Sequence, residues 1–307
     1  MAGRGVASIG ECMLELSGTR GDEWRMGFAG DTFNTLWTLR ALTTSDMPAD
    51  YVTAFGDDPF SRDQIAFFRE NGIGTAASPV IPGARPGLYA IKLKGAERSF
   101  TYWRSDSAAR RLADDPDSLA KSLENRALVY FSGITLAILE APARKVLVET
   151  IATARKAGSL VAFDPNYRPR LWQDAATARA AIAEALAVTD IALPTFPDEQ
   201  ALYGDASPEA TALRLQGAGV KEVVVKNGEE PALVASGRMM ESVPAITAVA
   251  IDTTGAGDSF NGGYLAARLA GFEPSESARH GHAVACAVVQ VRGALAPFEV
   301  LKEAFEV

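Results

Sequence analysis

The segment 251–260 reads Ile-Asp-Thr-Thr-Gly-Ala-Gly-Asp-Ser-Phe and continues as Asn261-Gly262-Gly263-Tyr264-Leu265. Gly255, Ala256 and Gly257 carry almost no side chain, so their backbone N–H groups can approach a ligand closely. A helical pattern begins at the same point and aims partial positive charge at whatever lies in front of it. Asp258, in the first helical turn, sets a carboxylate beside this anion hole. There it could take a proton from an attacking hydroxyl while a phosphate passes through a charged transition state. An aspartate at a glycine-rich helix start can also be a plain cap. The whole string is too particular in composition for capping alone.

Such a group needs a rigid frame, and the rest of the chain supplies the pattern of one. Apolar runs of strand length at 6–10, 51–56, 127–132, 159–164, 191–194, 222–226 and 232–235 alternate with segments of helical period. The helical segments fall at 32–42, 61–71, 138–156, 175–187, 208–218, 256–270 and 274–291. This alternation predicts an α/β fold: one wound, mostly parallel sheet with helices on both faces. The helix at 32–42 is expected to bury one apolar face made by Phe33, Leu36, Trp37 and Leu39.

Two stretches break the rhythm. Segments at about 11–28 and 85–105 look extended, and 88–103 alternates around a turn at Gly95-Ala96-Glu97. A hairpin of this kind must lie outside the sheet, either as a decorative flap or as a lid over a site. Tyr89, Tyr102, Trp103 and Arg104 favour the lid, and packing of the aromatics between subunits is compatible with it.

Composition narrows the class of partner. The 307 residues carry 30 Lys+Arg against 38 Asp+Glu, a formal charge of -8, with no basic run. Nucleic acid is therefore not an expected partner, although a few local arginines can still hold a small anion. Cys12 and Cys286 are too few for a disulfide framework, and His280 and His282 too few for a histidine-rich metal site. Both cysteines are expected to be buried small residues. The N-terminus has neither a signal-peptide pattern nor a membrane span, so a cytoplasmic protein is expected. No Gly-Lys pair exists for a Walker loop. The first strand ends in Ile9-Gly10-Glu11, without a dinucleotide fingerprint.

The string DTTGAGDSFNGGYLAARLAG at 252–271 resembles the C-terminal signature of the ribokinase-like (PfkB) carbohydrate kinases. The resemblance runs over essentially the whole chain as a single ribokinase-like domain at 1–307, including Ala29-Gly30-Asp31-Thr32-Phe33-Asn34 and the hairpin lid. It narrows through GECMLELSG at 10–18, RPGLYAIKL at 85–93, TYWR at 101–104, SGITLAIL at 132–139, DPNYRPRLW at 164–172 and GVKEVVVKNG at 219–228. Together these are similar to the 2-keto-3-deoxygluconate kinase branch. The resemblance implies ATP-dependent phosphorylation of the 6-hydroxyl of a keto-deoxy sugar acid with Mg2+, in a homo-oligomer.

Carried over by position, the resemblance makes Asp258 the base and Gly255, Ala256 and Gly257 the anion hole. It makes Gly30, Asp31 and Asn34 the sugar contacts, with Tyr89, Tyr102, Arg104 and Arg168 as further substrate contacts and Ala294 near them. Asn166, Lys226 and Gly228 fall on the nucleotide side. Asp252 and Thr254 fall where relatives bind a monovalent cation, so K+ is open. Where relatives carry Asn-x-x-Glu for Mg2+, this chain has Thr195 and Asp198, a carboxylate without the amide. Arg104 and Arg168 are expected to reach the substrate carboxylate as two donors that a neutral sugar would leave unpaired. A fructokinase or other kinase of the family is the rival enzyme. A non-catalytic sugar or nucleotide regulator is the rival of another class.

Overall fold

The computed structural model describes residues 4–18, 23–94 and 97–306. The chain begins with β1 (Gly5–Ile9), β2 (Met13–Gly18), β3 (Trp24–Ala29) and α1 (Asp31–Leu42). It continues through β4 (Ala49–Val52), β5 (Phe55–Gly56), α2 (Pro59–Glu70), β6 (Val80–Ile81), β7 (Leu88–Lys94) and β8 (Glu97–Trp103). The middle holds α3 (Pro116–Ser122), β9 (Arg126–Ser132), α4 (Gly133–Ile138), α5 (Ala141–Lys156), β10 (Leu160–Asp164) and α6 (Ala175–Leu186). Next come β11 (Ile191–Ala192), α7 (Phe196–Tyr203), α8 (Pro208–Gly217), β12 (Glu222–Asn227), β13 (Glu230–Ser236) and β14 (Met239–Val243). The last helices are α9 (Ala256–Ala270), α10 (Pro274–Val288) and α11 (Phe298–Phe305).

The large sheet runs β14-β13-β12-β11-β10-β9-β1-β4. From β4 to β12 every pairing is parallel, and β13 and β14 add an antiparallel edge. Its central strands are apolar on both faces, as strands covered on both sides must be. Val129, Phe131, Val161, Phe163, Val223 and Val225 point into one core. Their alternates Leu128, Tyr130, Ala162 and Val224 point into the other, with Phe33, Phe260 and Tyr264. The order reverses beside β1, where the chain first pairs with β4 and later with β9. Ligands of open α/β sheets gather at the carboxyl ends of the strands beside such a reversal.

Several elements differ from the sequence expectation. The helix expected at 138–156 is α5, which starts only at Ala141 because Pro142 is tolerated only in the first turn of a helix, and a short helix that was not expected, α4, precedes it. α1 is buried nearly all round rather than along one face: Thr32, Asn34, Thr35 and Thr38 are buried with its apolar residues. Cys286 is only half-buried, while Cys12 is buried, with a thiol that burial pushes well above its ordinary pKa.

A separate four-stranded sheet has the order β3-β2-β7-β8. Its two hairpins join where β2 runs parallel to β7. Gly95 and Ala96, expected at the hairpin turn, lie outside the described residues. Met13, Ala29, Tyr89 and Ile91 from this sheet pack with Ala294 of the body. No helix among the described residues is long and apolar enough to cross a membrane.

Candidate active site

α1 and α9 pack against each other at Gly262, where a Cβ would lie 2.5 Å from Thr38 Cβ. Only a glycine permits that approach, and it brings Asn34 to the start of α9. Asn34 Nδ2 donates to Asp258 Oδ2 at 2.8 Å, and Thr35 Oγ1 donates to the Asp258 carbonyl at 3.1 Å. The N–H of Gly30, the residue capping α1, donates to Asn34 Oδ1 at 3.3 Å. That bond turns the amide nitrogen toward the carboxylate.

Gly255 caps α9 with φ 76, in the left-handed region. A Cβ there would also lie 2.8 Å from the Cβ of Ala294. Ala294 thus packs against the residue that caps α9. The first-turn N–H groups of Gly257 and Asp258 have no carbonyl of their own helix to meet. Lys226 Nζ lies 3.8 Å from where a Cβ on Gly257 would be, so a buried cation stands beside the same turn. These donors suit a phosphate.

The Asp258 carboxyl is pushed up to about 7 by burial and by the neighbouring Asp31 charge. Asn34 and Lys226 pull it down, and Asp164 adds to the rise. A base near neutrality combines a populated carboxylate with real proton affinity.

Asp164, at the end of β10, lies at the centre of the site, and the sequence reading did not single it out. Its Oδ2 accepts from Lys226 Nζ at 2.7 Å and from Asn261 Nδ2 at 2.8 Å. Its Oδ1 accepts from the Asn166 N–H at 3.0 Å. Asn166 Nδ2 in turn donates to Asp31 Oδ2 at 2.9 Å. Asn166, expected among the nucleotide contacts, therefore bonds to Asp31, expected among the sugar contacts. Gly228 lies apart, in the exposed turn between β12 and β13. The signal for Asp164 was present in the DPN start of the 164–172 string.

The two arginines are not bare, contrary to the expectation of unpaired donors. Arg104 is paired with the buried carboxylate of Glu11. Arg168 Nη1 donates to Asp198 Oδ2 at 2.9 Å, with its side chain 49% exposed. Asp198 is raised by burial against the pull of Arg168. That pairing occupies Oδ2 of Asp198. Tyr89 is buried and donates to Glu15, while Tyr102 stacks on it at 5.7 Å and stays half exposed. Asp252 accepts from the Thr254 N–H at 3.0 Å and the Gly293 N–H at 2.9 Å, tying the turn before α9 to the chain just before Ala294.

The chain is 41% identical to a 2-dehydro-3-deoxygluconokinase of Dickeya dadantii over 98% of this chain and 99% of that one. A fructokinase-2 of Oryza sativa is 32% identical over 70% of this chain and 64% of that one. Among solved structures, one given the name Ribokinase II from E. coli, in complex with ATP and Mg2+, superposes with a TM-score of 0.86. It covers 98% of this chain and 99% of that chain at 22% identity, a likeness of fold. A family model for the pfkB carbohydrate kinases matches residues 4–301, a span holding both α1 and α9. With Asp258 at the head of a glycine-started helix and Asn34 holding it from the first, the chain belongs to the pfkB family of carbohydrate kinases.

Proposed function

We propose that this chain transfers the γ-phosphoryl group of ATP to the 6-hydroxyl of 2-dehydro-3-deoxy-D-gluconate. The observation that carries the chemistry is the Asp258 carboxylate, held by Asn34 beside the first-turn N–H groups of α9. The curated relative at 41% identity over nearly the full chain supports the substrate. Mg2+, bound together with the nucleotide, would neutralise charge on its phosphates. The E. coli structural neighbour with ATP and Mg2+ supports that pairing.

Asp258 takes the proton of the 6-hydroxyl as that oxygen bonds to the γ-phosphorus. The bond from phosphorus to the bridging oxygen breaks, and ADP carries the electron pair away. The proton stays on Asp258 until release. Gly257, Asp258 and Lys226 face the transferring group with donors already in place, so little reorganisation is needed. Asp31, bonded to Asn166, offers an acceptor for a sugar hydroxyl. A coupled ADP-release assay with keto-deoxy sugar acids, fructose and ribose tests the assignment. Turnover of the acid above that of both neutral sugars is expected, and a preference for fructose overturns it.

One observation favours the fructokinase reading: Arg104 and Arg168 each have a protein carboxylate, so a neutral sugar leaves neither charge unpaired. The same pairs permit acid recognition if the substrate carboxylate joins or displaces Glu11 and Asp198. The identities weigh toward the acid.

The four-stranded sheet is read as a lid. Its inner face carries Tyr89 and Ile91 against Ala294, and Tyr102 alternates with Trp103 so that the two face opposite ways. Its outer face holds a cavity of about 420 Å³ lined by Leu16, Trp24, Leu88, Ala90 and Trp103. Trp24 and Trp103 are about half exposed there, and a second copy of this chain is the proposed occupant. K+ is proposed at the Asp252 and Thr254 turn, a reading tested by stimulation with KCl but not choline chloride. Dependence on ATP fits action in the cytoplasm.

A further inference from the structure

Asp164 has no place in the transfer itself, yet it is one of the most heavily bonded side chains in the site. It is 2% exposed, at the end of a central strand, and both of its oxygens are used. What distinguishes it is how they are divided. Oδ2 takes Lys226 Nζ and Asn261 Nδ2, groups rooted beside the anion hole, and Asn261 itself accepts from Lys226 at 2.9 Å. Asn261 Nδ2 also reaches the buried Tyr130 hydroxyl at 3.1 Å. Oδ1 takes the N–H of Asn166, whose side chain holds Asp31.

Asn166 has φ 36, a conformation rare for a side-chain-bearing residue and held only where the surroundings enforce it. Its backbone bond to Asp164 and its side-chain bond to Asp31 provide that enforcement. A buried lysine–aspartate pair is also costly to desolvate and adds little stability over apolar packing. Its presence at this junction is explained by geometry that apolar side chains could not give.

We propose that Asp164 is a positioning residue for both halves of the site, holding Lys226 and Asn261 on the phosphate side and, through Asn166, Asp31 on the sugar side. It fixes two binding surfaces that belong to different strands and helices, so the hydroxyl and the phosphate arrive in register. The proposal rests on the kinase reading but not on which sugar is used. An unmodified chain that phosphorylates no sugar refutes that reading before any variant is made.

The test compares KM for the accepted sugar and for ATP in purified full-length variants, with thermal unfolding as the control for folding. Asn166→Gly keeps the left-handed turn and removes the bond to Asp31. It should raise the sugar KM by about 10-fold, the scale of one lost bond to a charged group, and leave the ATP KM within about 2-fold. Asn261→Ala should do the reverse. Asp164→Asn, which cannot satisfy all three donors with one oxygen, should raise both. Adding Asn166→Gly to Asp164→Asn should then raise the sugar KM by clearly less than the product of the single effects. A normal pair of KM values in Asp164→Asn, with only the melting temperature lowered, overturns the proposal. So does full multiplicativity in the double variant. If Asp164→Asn does not fold, the opposite KM splits of Asn166→Gly and Asn261→Ala decide, and a matching rise of both KM values in either one overturns it.

Discussion

Asn34 and Asp258 are 224 residues apart in the chain and joined by a 2.8 Å hydrogen bond in the site. The donor is itself oriented by the Gly30 N–H, so the carboxylate is held from a direction that leaves its other oxygen for a substrate. Asp258→Asn keeps the shape and removes proton acceptance. Turnover should fall by roughly 10²–10⁴, with substrate affinity changing far less. Steady-state kinetics check this, and near-normal kcat in the variant rules out Asp258 as the base.

The proton affinity of Asp258 gives two linked pH signatures. Its pKa, lifted from 3.8 to about 7, should place the acid limb of kcat/KM near neutrality. A carboxyl with a raised folded pKa binds its proton more tightly when native. Its contribution to stability therefore declines as pH rises from about 4 to about 7 and is level above that. Asp258→Asn should be the more stable protein at pH 8 by on the order of 2 kcal/mol, a figure reduced for partial access to water. Urea unfolding at pH 5 and pH 8 measures the gap. A gap that does not shrink at pH 5 contradicts the shift.

Arg104 and Arg168 should set the choice between acid and neutral sugar. Because both have internal partners, the preference of the unmodified enzyme for the acid in kcat/KM is expected at about 10–10²-fold, below what stranded donors would give. Arg168→Ala should raise KM for the acid by about 10-fold with little change for fructose. Arg104→Ala should act similarly and also lower the melting temperature, since the buried Glu11 loses its cation. Equal losses for both sugars would assign the arginines to ATP or to the fold, and the fructokinase reading would move ahead.

The outer face of the lid predicts the assembly. Sedimentation at micromolar concentration should show at least a dimer, and Trp103→Glu, which puts a charge into the apolar cavity, should give a monomer. A monomeric unmodified protein removes this role for the face.

What could be read in the sequence was whatever a short segment determines alone. The proposed anion hole is one helix start, so 255–258 pointed to it. The parallel strands announced themselves as apolar runs. The partners of the site were hidden because their bonds are long-range: nothing near Asp164 in sequence points to Lys226, 62 positions away, or Asn261, 97 away. Proline concealed α7 and, at Pro142, set where α5 starts. Pro197 lies in the first turn of α7, where its missing N–H costs nothing, although its presence reads as a breaker. α1 misled through its polar residues, which are buried because other elements cover the helix on nearly every side: Thr32 meets the Tyr51 hydroxyl and Asn34 meets Asp258.

The contact of α1 with α9 at Gly262 also bears on how the molecule comes into being. A growing chain has made Gly30, Asp31 and Asn34 long before Asp258 leaves the ribosome. Until then α1 has no α9 to cover it, and Asn34, Thr35 and Thr38 stay open, as does Trp37, whose indole bonds Ala296. Because domains fold as units and distant pairings form late, the earlier segments must wait for the last fifth of the sequence. Termination of synthesis before α9 therefore leaves a long sheet-forming chain with no active centre and an uncovered helix, a natural client for chaperones.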